Sequence, residues 1–348
     1  MTAASNASVG PGIARCALAA ALFGATTPLA ARLADDTSAP VLAGLLYLGA
    51  ALAVAPGIAR TGLDPDALRK GGGRLAAAVV AGGLIGPLLL VAGLARTPPA
   101  TASLVLNLEL VATAVLAAVV FREHIGRRVA AGTTLVVLAG LALGWSGEPE
   151  LRLGALLIVG ACIAWGVDNS VTADLDQVTP ATITLVKGIV AGGTNLLLGL
   201  AIGGSLPAPG DLAAALAIGM LGYGASITLW VTGARQLGAA RGQLVFSSAP
   251  FLGVAVSWFV LGDGIRPAEI IGLGLALTGV AFVVRSDHEH DHHHDPVDHD
   301  HEHDHDDGHH DHVHDGLDPA VAHSHRHEHR PLVHAHPHVP DLHHRHDH

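Results

Sequence analysis

Apolar runs of about 20 residues alternate with short polar breaks along the first 285 residues of the chain. A helix of that length spans the ~30 Å hydrocarbon layer of a bilayer. The breaks contain Pro, Gly or charge, and the runs lack the alternation of strands, so the pattern predicts membrane helices and not a barrel. Ten helices are predicted, at 13–33, 38–59, 75–95, 98–121, 128–146, 152–173, 179–203, 211–234, 240–261 and 266–285.

Lysine and arginine are distributed unevenly over the loops between these predicted helices. With a cytoplasmic N-terminus, eleven of them lie on the cytoplasmic side, and four lie outside, namely Arg32, Arg96, Arg152 and Arg266. Basic loop residues favour the cytoplasmic side of a membrane. The bias therefore predicts that both termini are cytoplasmic, in a multi-pass protein of the bacterial inner membrane.

The chain matches itself when it is shifted by 140 residues. ATASLVLNLELVATAVLAAVVFREHI from Ala100 aligns without a gap with ARGQLVFSSAPFLGVAVSWFVLGDGI from Ala240. Each half then holds five predicted helices, and an odd number inverts the second half in the membrane. Inverted repeats are typical of secondary transporters, which bind substrate near the midplane between the halves. We predict five-helix repeats at 12–146 and 152–285; a signal peptide at 13–34 is the alternative for the first run, but the repeat needs that run as a helix.

Ionisable side chains inside a membrane helix cost at least ~2.5–3.5 kcal/mol at its centre, so they should face a cavity or a partner. We identify three, Glu109, Asp168 and Lys187. Asp168 and Lys187 lie at similar depth on consecutive helices, which predicts an ion pair, either static or broken by substrate or a proton. Glu109 has no evident cationic partner, which favours a role in the substrate site or in proton coupling.

Neutral polar and aromatic residues complete the predicted cavity wall. Asn107 lies about 200° around the helix from Glu109, so the two are not expected to share one face of a straight helix. Trp165 and Trp230 either stack on substrate, anchor at the membrane interface or pack against neighbouring helices. The predicted substrate-cavity residues are Tyr47, Asn107, Glu109, Trp165, Asp168, Asn169, Lys187, Gln243 and Ser247.

The composition changes abruptly after the tenth predicted helix. Of the 25 His, all but His124 lie from residue 288 onward, and the 3 basic and 16 acidic residues from 287 to the end give a net charge of −13. Such a segment cannot bury a core, so residues 286–348 are predicted to be disordered. Repeated His-x-His spacing with carboxylates favours binding of Zn, Ni, Co or Cu without selecting one metal. The predicted ligands are His288, His290, His292, His299, His301, His303, His305, His310, His312, His314, His323, His325, His327 and His329.

Metal binding by this tail does not by itself indicate metal transport. A path for a divalent metal should carry clustered His, Asp or Glu, whereas the predicted helices contain no His. The tail fits a metal buffer, a sensor or a docking segment. Because imidazole titrates near pH 6.5, the tail also fits a pH-responsive segment that binds anionic lipid. Nucleic-acid binding has no support in a basic patch. Cys16 and Cys162 lie in separate apolar runs, which excludes a disulfide scaffold.

Four segments resemble the EamA branch of the drug/metabolite transporter superfamily, over about residues 12–285. They are ALFGATTPLAARL, LNLELVATAVLAAVVFREHI, IAWGVDNSVTADL and GARQLGAARGQLVFSSAPFLGVAVSWFVLGD. The tail is similar to that of a subgroup ending in an Asp/Glu/His-rich segment. The resemblance implies ten helices in two EamA repeats, cytoplasmic termini and alternating-access movement of small solutes. The family usually has Glu-Pro in the fourth helix, where this chain has Glu109-Leu110, so the basis for a kink there is missing.

Together these observations predict an all-α polytopic membrane protein that is not an enzyme and requires no cofactor. The leading interpretation is a secondary-active exporter of small organic metabolites with a cytoplasmic metal-binding tail. A transporter of a divalent metal or metal chelate, and a membrane metal sensor or storage protein, are the alternatives. The expected partners are the lipid bilayer, a small-molecule substrate and divalent metal ions at the tail, and a homodimer stays open.

Overall fold

The computed structural model describes residues 4–120, 127–145, 149–173, 175, 177–237, 239–284, 291–294, 298–303, 323–328 and 332–335. Up to residue 284, these residues form helices joined by short connections. The helices are α1 Ala4–Ala34, α2 Ala39–Thr61, α3 Pro65–Lys70, α4 Gly72–Ala78, α5 Gly86–Leu94, α6 Pro99–Val105, α7 Leu108–Val120, α8 Arg127–Trp145, α9 Pro149–Ala173, α10 Pro180–Ala201, α11 Pro209–Ile218, α12 Ser226–Leu237, α13 Ala239–Phe246, α14 Ala249–Phe259 and α15 Pro267–Val284.

Seven helical stretches in the described part of the chain are long and apolar enough to cross a membrane. They are Gly10–Ala34, Ala39–Thr61, Gly72–Leu94, Leu151–Thr172, Pro180–Ala201, Pro209–Leu237 and Gly242–Phe259. Shorter apolar helices, Pro99–Thr113, Ala130–Ala142 and Pro267–Phe282, coincide with the fourth, fifth and tenth predicted spans. The prediction of an all-helical membrane body is therefore confirmed, while the number of crossings stays a prediction.

The outward surface of these helices is apolar. Leu156, Leu197 and Phe259 are 67%, 69% and 80% exposed. Hydrocarbon chains solvate such side chains, whereas water would be ordered around them. The exposed hydroxyls of Thr194 and Thr278 each donate to a carbonyl oxygen four residues earlier, at 2.7 Å in both cases, so they need no water. This surface suits a bilayer.

Two π-helical segments interrupt the helices at corresponding places. Val79–Ile85 separates α4 from α5, and Gly219–Ala225 separates α11 from α12. Their first residues are 140 positions apart (219 − 79), the same shift that aligns the chain with itself. π-helical turns inside α-helices often occur at functional sites.

The fourth predicted span is broken although it lacks the proline of the family pattern. Between α6 and α7, the backbone N–H groups of Asn107 and Glu109 bond to carbonyl oxygens only three residues earlier, at 3.1 and 3.0 Å. The ninth span has the matching interruption at Ser247–Ser248, just before Pro250. A tightened turn therefore replaces the proline as the cause of the break in the fourth span.

Helices from the two predicted repeats pack directly on each other. α2 packs on α10, α1 on α12 and α5 on α9. At the α2–α10 contact, Gly188 faces the backbone of Tyr47, and Gly192 faces the backbone of Leu48. Small residues let helix backbones approach closely in lipid, where dispersion contacts and not the hydrophobic effect hold helices together.

The tail is a unit of its own and is described separately. Its described residues form four strands, β1 Asp291–His294, β2 Asp298–His303, β3 His323–Glu328 and β4 Leu332–Ala335. β1 pairs antiparallel with β4, and β2 pairs antiparallel with β3. Disorder of the tail as a whole is not confirmed by these four strands and stays a prediction.

Candidate functional site

A cavity lies between α1, α2, α7, α9, α10, α12 and α13. It contains about 620 Å³ of space between protein atoms, including the part that is open to the surroundings. Its lining residues are Phe23, Tyr47, Glu109, Trp165, Asp168, Asn169, Thr172, Ile183, Lys187, Tyr223, Ser226, Ile227, Trp230, Val231, Gln243 and Phe246.

An ion pair on α9 and α10 forms one side of the cavity. Lys187 Nζ lies 2.5 Å from Asp168 Oδ2, and the two side chains are only 4% and 9% exposed. The other carboxylate oxygen, Asp168 Oδ1, accepts a hydrogen bond from Thr172 Oγ1 at 3.1 Å. In a low-dielectric site, each charge depends on the other, because removing one partner leaves an unpaired buried ion.

The second carboxylate of the cavity, Glu109, is held by amides. Glu109 Oε1 accepts from Asn169 Nδ2 at 3.1 Å and from Gln243 Nε2 at 3.4 Å. Among the described residues, no ion pair involves Glu109. The cavity wall therefore carries one carboxylate more than its own ion pair neutralises.

Six aromatic rings make up much of the remaining wall. Phe23 is at their centre, with ring centroids 5.8 Å from Trp165, 5.8 Å from Tyr223 and 5.6 Å from Phe246. Tyr47 continues the cluster beyond Tyr223 at 5.4 Å, and Trp230 continues it beyond Phe246 at 6.4 Å. Edge-to-face and tilted contacts at these distances are favourable for aromatic pairs. The cluster gives the cavity a wide apolar surface beside its charged groups.

The first π-helical segment is tied to the same wall. The carbonyl oxygen of Gly82 accepts hydrogen bonds from Tyr47 Oη at 2.5 Å and from Trp165 Nε1 at 3.2 Å. Gly82 also leaves no room for a Cβ, because the carboxylate of Asp168 lies against it. A glycine is therefore required where the π-helical segment meets the ion pair.

Comparison with known protein families decides what kind of protein carries this cavity. The model of the EamA-like transporter family matches residues 10–144 and, a second time, residues 152–285. This chain belongs to the EamA-like transporter family. It is therefore a multi-pass membrane protein of a transporter family, as the sequence predicted. Membership of a subgroup with a His-rich tail stays a prediction.

Individual relatives of this EamA-family chain agree with that assignment. An uncharacterized transporter of Methanothermobacter thermautotrophicus (strain Delta H) is 27% identical over 205 residues, which cover 57% of this chain and 60% of the relative. The permease-like protein YdzE of Bacillus subtilis (strain 168) is 32% identical over 68 residues, covering 20% of this chain and 87% of that protein. The match thus spans less than two thirds of the archaeal transporter.

The fold itself has a counterpart among solved structures. One crystal structure superposes with a TM-score of 0.61 at 20% sequence identity, covering 80% of the EamA-family chain and 98% of the solved chain. At this level of identity the likeness concerns the fold alone. It shows that nearly the whole solved chain shares the helical arrangement described above.

Seven of the nine residues predicted from sequence line the cavity of this EamA-family protein. Asn107 and Ser247 are not among its lining residues. Asn107 Nδ2 donates to Leu104 O at 3.0 Å, and Ser247 Oγ donates to Leu244 O at 2.7 Å. Both residues lie at the helix breaks, where a short polar side chain satisfies the local backbone. The residues found in the wall are Tyr47, Glu109, Trp165, Asp168, Asn169, Lys187 and Gln243.

The sequence alone revealed only part of the aromatic wall, including Tyr47 and Trp165. Phe23, Tyr223 and Phe246 lie in apolar runs, where the sequence predicts that an aromatic side chain packs between helices. Trp230 was recognised as a residue that could stack on substrate, and it does line the cavity. The one available signal is scarcity, because the whole chain has only 2 Tyr and 4 Trp.

A fourth buried ionisable group, outside the cavity, was also missed. Glu269 is 1% exposed. Its carboxylate accepts from Thr101 Oγ1 at 2.7 Å, from Trp258 Nε1 at 3.2 Å and from the backbone N–H of Arg266 at 3.1 Å. It lies in the first turn of α15, where an acidic side chain is expected to stabilise the positive end of the helix dipole. Three donors satisfy it, so its role is to join α6, α14 and α15.

Several predicted metal ligands of the tail fall within the described strands. The β2–β3 register places His299 opposite His327, His301 opposite His325 and His303 opposite His323. In the other pair, His292 is opposite His334. Among the described residues, no group of three or more His, Cys, Asp or Glu has the arrangement of a metal site. His288, His290, His305, His310, His312, His314 and His329 lie outside the described residues.

Proposed function

We propose that this protein is a secondary-active transporter that exports small organic metabolites across the bacterial inner membrane by alternating access. The proposed architecture has ten membrane helices in two inverted repeats, 12–146 and 152–285, with both termini in the cytoplasm. Inverted repeats place a substrate site between the halves, so that rocking one half against the other exposes it to each side in turn. Substrate identity and coupling ion are not part of the proposal.

The repeat pattern supports this architecture at three levels. The family model matches each half of the chain separately. The π-helical segments recur at a shift of 140 residues, and the breaks in the fourth and ninth spans recur at nearly the same shift. The contact of α1 with α12 has a counterpart with the roles of the halves exchanged, because α9 packs on α5.

The cavity is the observation that carries the proposal. Its wall combines residues of both halves, with Phe23, Tyr47 and Glu109 from the first and the remaining lining residues from the second. It places the ion pair and Glu109 inside an otherwise apolar protein, where ionisable residues are expensive and mark substrate or ion pathways. Asp168 is paired with Lys187, and Glu109 accepts from two amide N–H groups, an arrangement that suits an organic solute better than a bare divalent metal.

The first prediction concerns export in the source organism. At least one small organic compound should be more abundant in the medium of a deletion strain restored with the full-length gene than in the medium of the deletion strain itself. Restoration with the Glu109→Gln variant should abolish this excess. We expect the loss to be at least about ten-fold, because the variant removes the charge at the centre of the cavity. Metabolite profiling of medium and cells is the measurement, with membrane abundance checked by immunoblotting.

Asp66→Asn is the matched control for this experiment, since it also removes one negative charge but lies on the exposed face of α3. It should export like the unaltered protein. If no compound differs between the deletion strain and the restored strain, or if Glu109→Gln exports normally, the cavity is not the transport site.

We also propose that the tail binds divalent metals on the cytoplasmic side. The support is the density of His and carboxylates and the β2–β3 register, which pairs histidines at three successive alternate positions. Neutral imidazoles and carboxylates in a dense His-x-His pattern suit Zn, Ni, Co or Cu.

The second prediction tests the tail. Purified full-length protein should bind several equivalents of Zn²⁺ in equilibrium dialysis, whereas a copy truncated after Arg285 should bind about one or none. Intracellular metal content of the deletion strain, restored with either copy, then shows whether binding matters in the cell. Equal Zn²⁺ binding by both copies would refute the proposal. Correction of a metal imbalance by the full-length copy alone would favour a metal-linked function over purely organic transport.

A further inference from the structure

The cavity holds a carboxyl group, Glu109, for which the described residues supply no cation. Its charged lining residues are Glu109, Asp168 and Lys187. Lys187 is committed to Asp168, with Nζ 2.5 Å from Oδ2, so these two charges cancel. Glu109 is in contact with neutral amides in the described part of the chain. A carboxylate that is shielded from water needs a positive charge or a proton beside it. The site is therefore complementary to a cation.

The aromatic side chains of the cavity wall also favour a positively charged substrate. Both tyrosines of the chain, and two of its 4 tryptophans, line this one cavity with two phenylalanines. The face of an aromatic ring carries a negative quadrupole that attracts ammonium groups, most strongly for Trp and Tyr. Rings also pack well against an apolar body. A wall of this kind thus favours a cation attached to hydrocarbon over a small inorganic ion.

Two polar atoms of the wall lack a hydrogen-bond partner among the described residues. They are the acceptor Gln243 Oε1, on a residue 6% exposed, and the donor Trp230 Nε1. A buried polar atom without a partner costs about 1–3 kcal/mol, which a ligand could recover. Gln243 already donates through Nε2 to Glu109, so its free oxygen lies on the amide beside that carboxylate.

We propose that the substrate is an organic ammonium ion with an apolar or aromatic body. The protonated amine binds Glu109 and donates to Gln243 Oε1, the body lies among the aromatic rings, and a hydrogen-bond acceptor on the body meets Trp230 Nε1. This inference rests on the proposed transport function and names the substrate class of the same cavity. An anionic substrate would require Lys187, which Asp168 occupies.

Three compounds of matched shape test the charge preference. Tyramine carries an ammonium group, tyrosol has a hydroxyl in its place, and 3-(4-hydroxyphenyl)propanoate has a carboxylate, while all three share the phenol ring. Binding to the full-length protein in lipid nanodiscs is measured by isothermal titration calorimetry at neutral pH. Tryptamine, 2-phenylethylamine and benzyltrimethylammonium extend the series of cations. At least one cation should bind about ten-fold or more tightly than both tyrosol and the carboxylate.

Variants assign the preference to the cavity. Glu109→Gln should reduce the affinity for the cation to that for tyrosol, while Glu109→Asp, which keeps the charge, should retain part of it. Trp230→Phe should weaken binding of the phenols by a few-fold, because it removes the N–H and keeps a ring. Trp258→Phe is its control, since Trp258 Nε1 donates to Glu269 and Trp258 does not line the cavity.

The outcomes separate this inference from the proposed function. Tighter binding of tyrosol or the carboxylate, no binding of any cation, or unchanged cation binding in Glu109→Gln would overturn the substrate class. The comparison of the ligands on the unaltered protein tests the substrate class even if a variant fails to fold. Proteoliposome counterflow of the same compounds tests transport independently. Cation binding without flux refutes the transport function, and flux of a neutral or anionic compound refutes only the substrate class.

Discussion

Replacing Lys187 with Met is expected to destabilise this protein more than replacing both members of its ion pair. The single change leaves the Asp168 carboxylate, on a side chain 9% exposed, without its cation. Breaking a buried pair in this way costs about 3–5 kcal/mol, whereas replacing both charges often costs little. We therefore expect the thermal midpoint to fall by roughly 10 °C in Lys187→Met. The double variant Asp168→Asn/Lys187→Met should recover most of that loss.

Thermal unfolding of the purified full-length protein in detergent, followed by tryptophan fluorescence, measures this difference. Arg69→Met is the matched control because it breaks the exposed pair between Arg69 and Asp66, 3.6 Å apart, and exposed pairs contribute little. It should unfold like the unaltered protein. A midpoint unchanged in Lys187→Met would show that the pair is not a buried charge pair in the folded protein.

The double variant also separates a structural role from a functional one. If it folds stably but no longer transports, the pair has a function beyond stability, and its opening by substrate or a proton becomes the working mechanism. If it folds and transports normally, the pair is static. Asp168→Asn alone gives the corresponding check, because normal folding together with normal transport would exclude a functional role for that carboxylate.

The neighbourhood of Asp168 and Lys187 could be predicted because helix geometry fixes depth. A residue rises about 1.5 Å along a helix, so its distance from the end of its span locates it across the membrane. Two opposite charges at similar depth on consecutive helices are expected to form an ion pair, because each unpaired charge inside a membrane helix is unfavourable in free energy. Depth does not fix rotation, and this is why Asn107 and Ser247 were assigned to a wall whose lining residues do not include them.

The aromatic wall could be predicted only in part, because rings satisfy two roles equally well from sequence. Phe23 and Tyr223 lie on helices that are far apart in the chain, and only tertiary packing brings them within 5.8 Å. The π-helical segments were equally hidden. Their glycines indicated close helix packing, but the hydrogen-bond shift that opens Gly82 O to Tyr47 and Trp165 depends on those partners being in place.

A glycine pair on α10 also shows that the sequence does not fix which side of a helix faces its neighbour. A glycine pair such as Gly192-Gly193 in an apolar run predicts close helix contact in lipid. The structure confirms this for Gly192, whose missing Cβ would lie 2.8 Å from Leu48 N and 3.0 Å from Gly44 O. For Gly193 the prediction is wrong, because nothing lies within 4 Å of that position. Neighbours on a helix point about 100° apart, so only one of the two can face α2.

This difference gives a prediction in which the same chemical change has opposite results. Gly192→Ala should destabilise the protein by about 1–3 kcal/mol, since the new methyl group meets backbone atoms that cannot move aside. Gly193→Ala should be neutral or stabilising by up to about 1 kcal/mol, because alanine favours a helix and has free space here. Thermal midpoints of both variants, measured under identical conditions in detergent, provide the comparison.

The consequences extend to transport because α2 and α10 are the second helices of the two proposed repeats. If alternating access moves these helices relative to each other, a methyl group wedged at Gly192 should slow transport as well as lower stability, while Gly193→Ala should leave both intact. Equal midpoints for the two variants would mean that the α2–α10 contact is looser than described. A destabilised Gly192→Ala that transports at the normal rate would instead show that the contact is a fixed joint, and the moving surfaces would then lie elsewhere, with the pairs α1–α12 and α5–α9 the next to test.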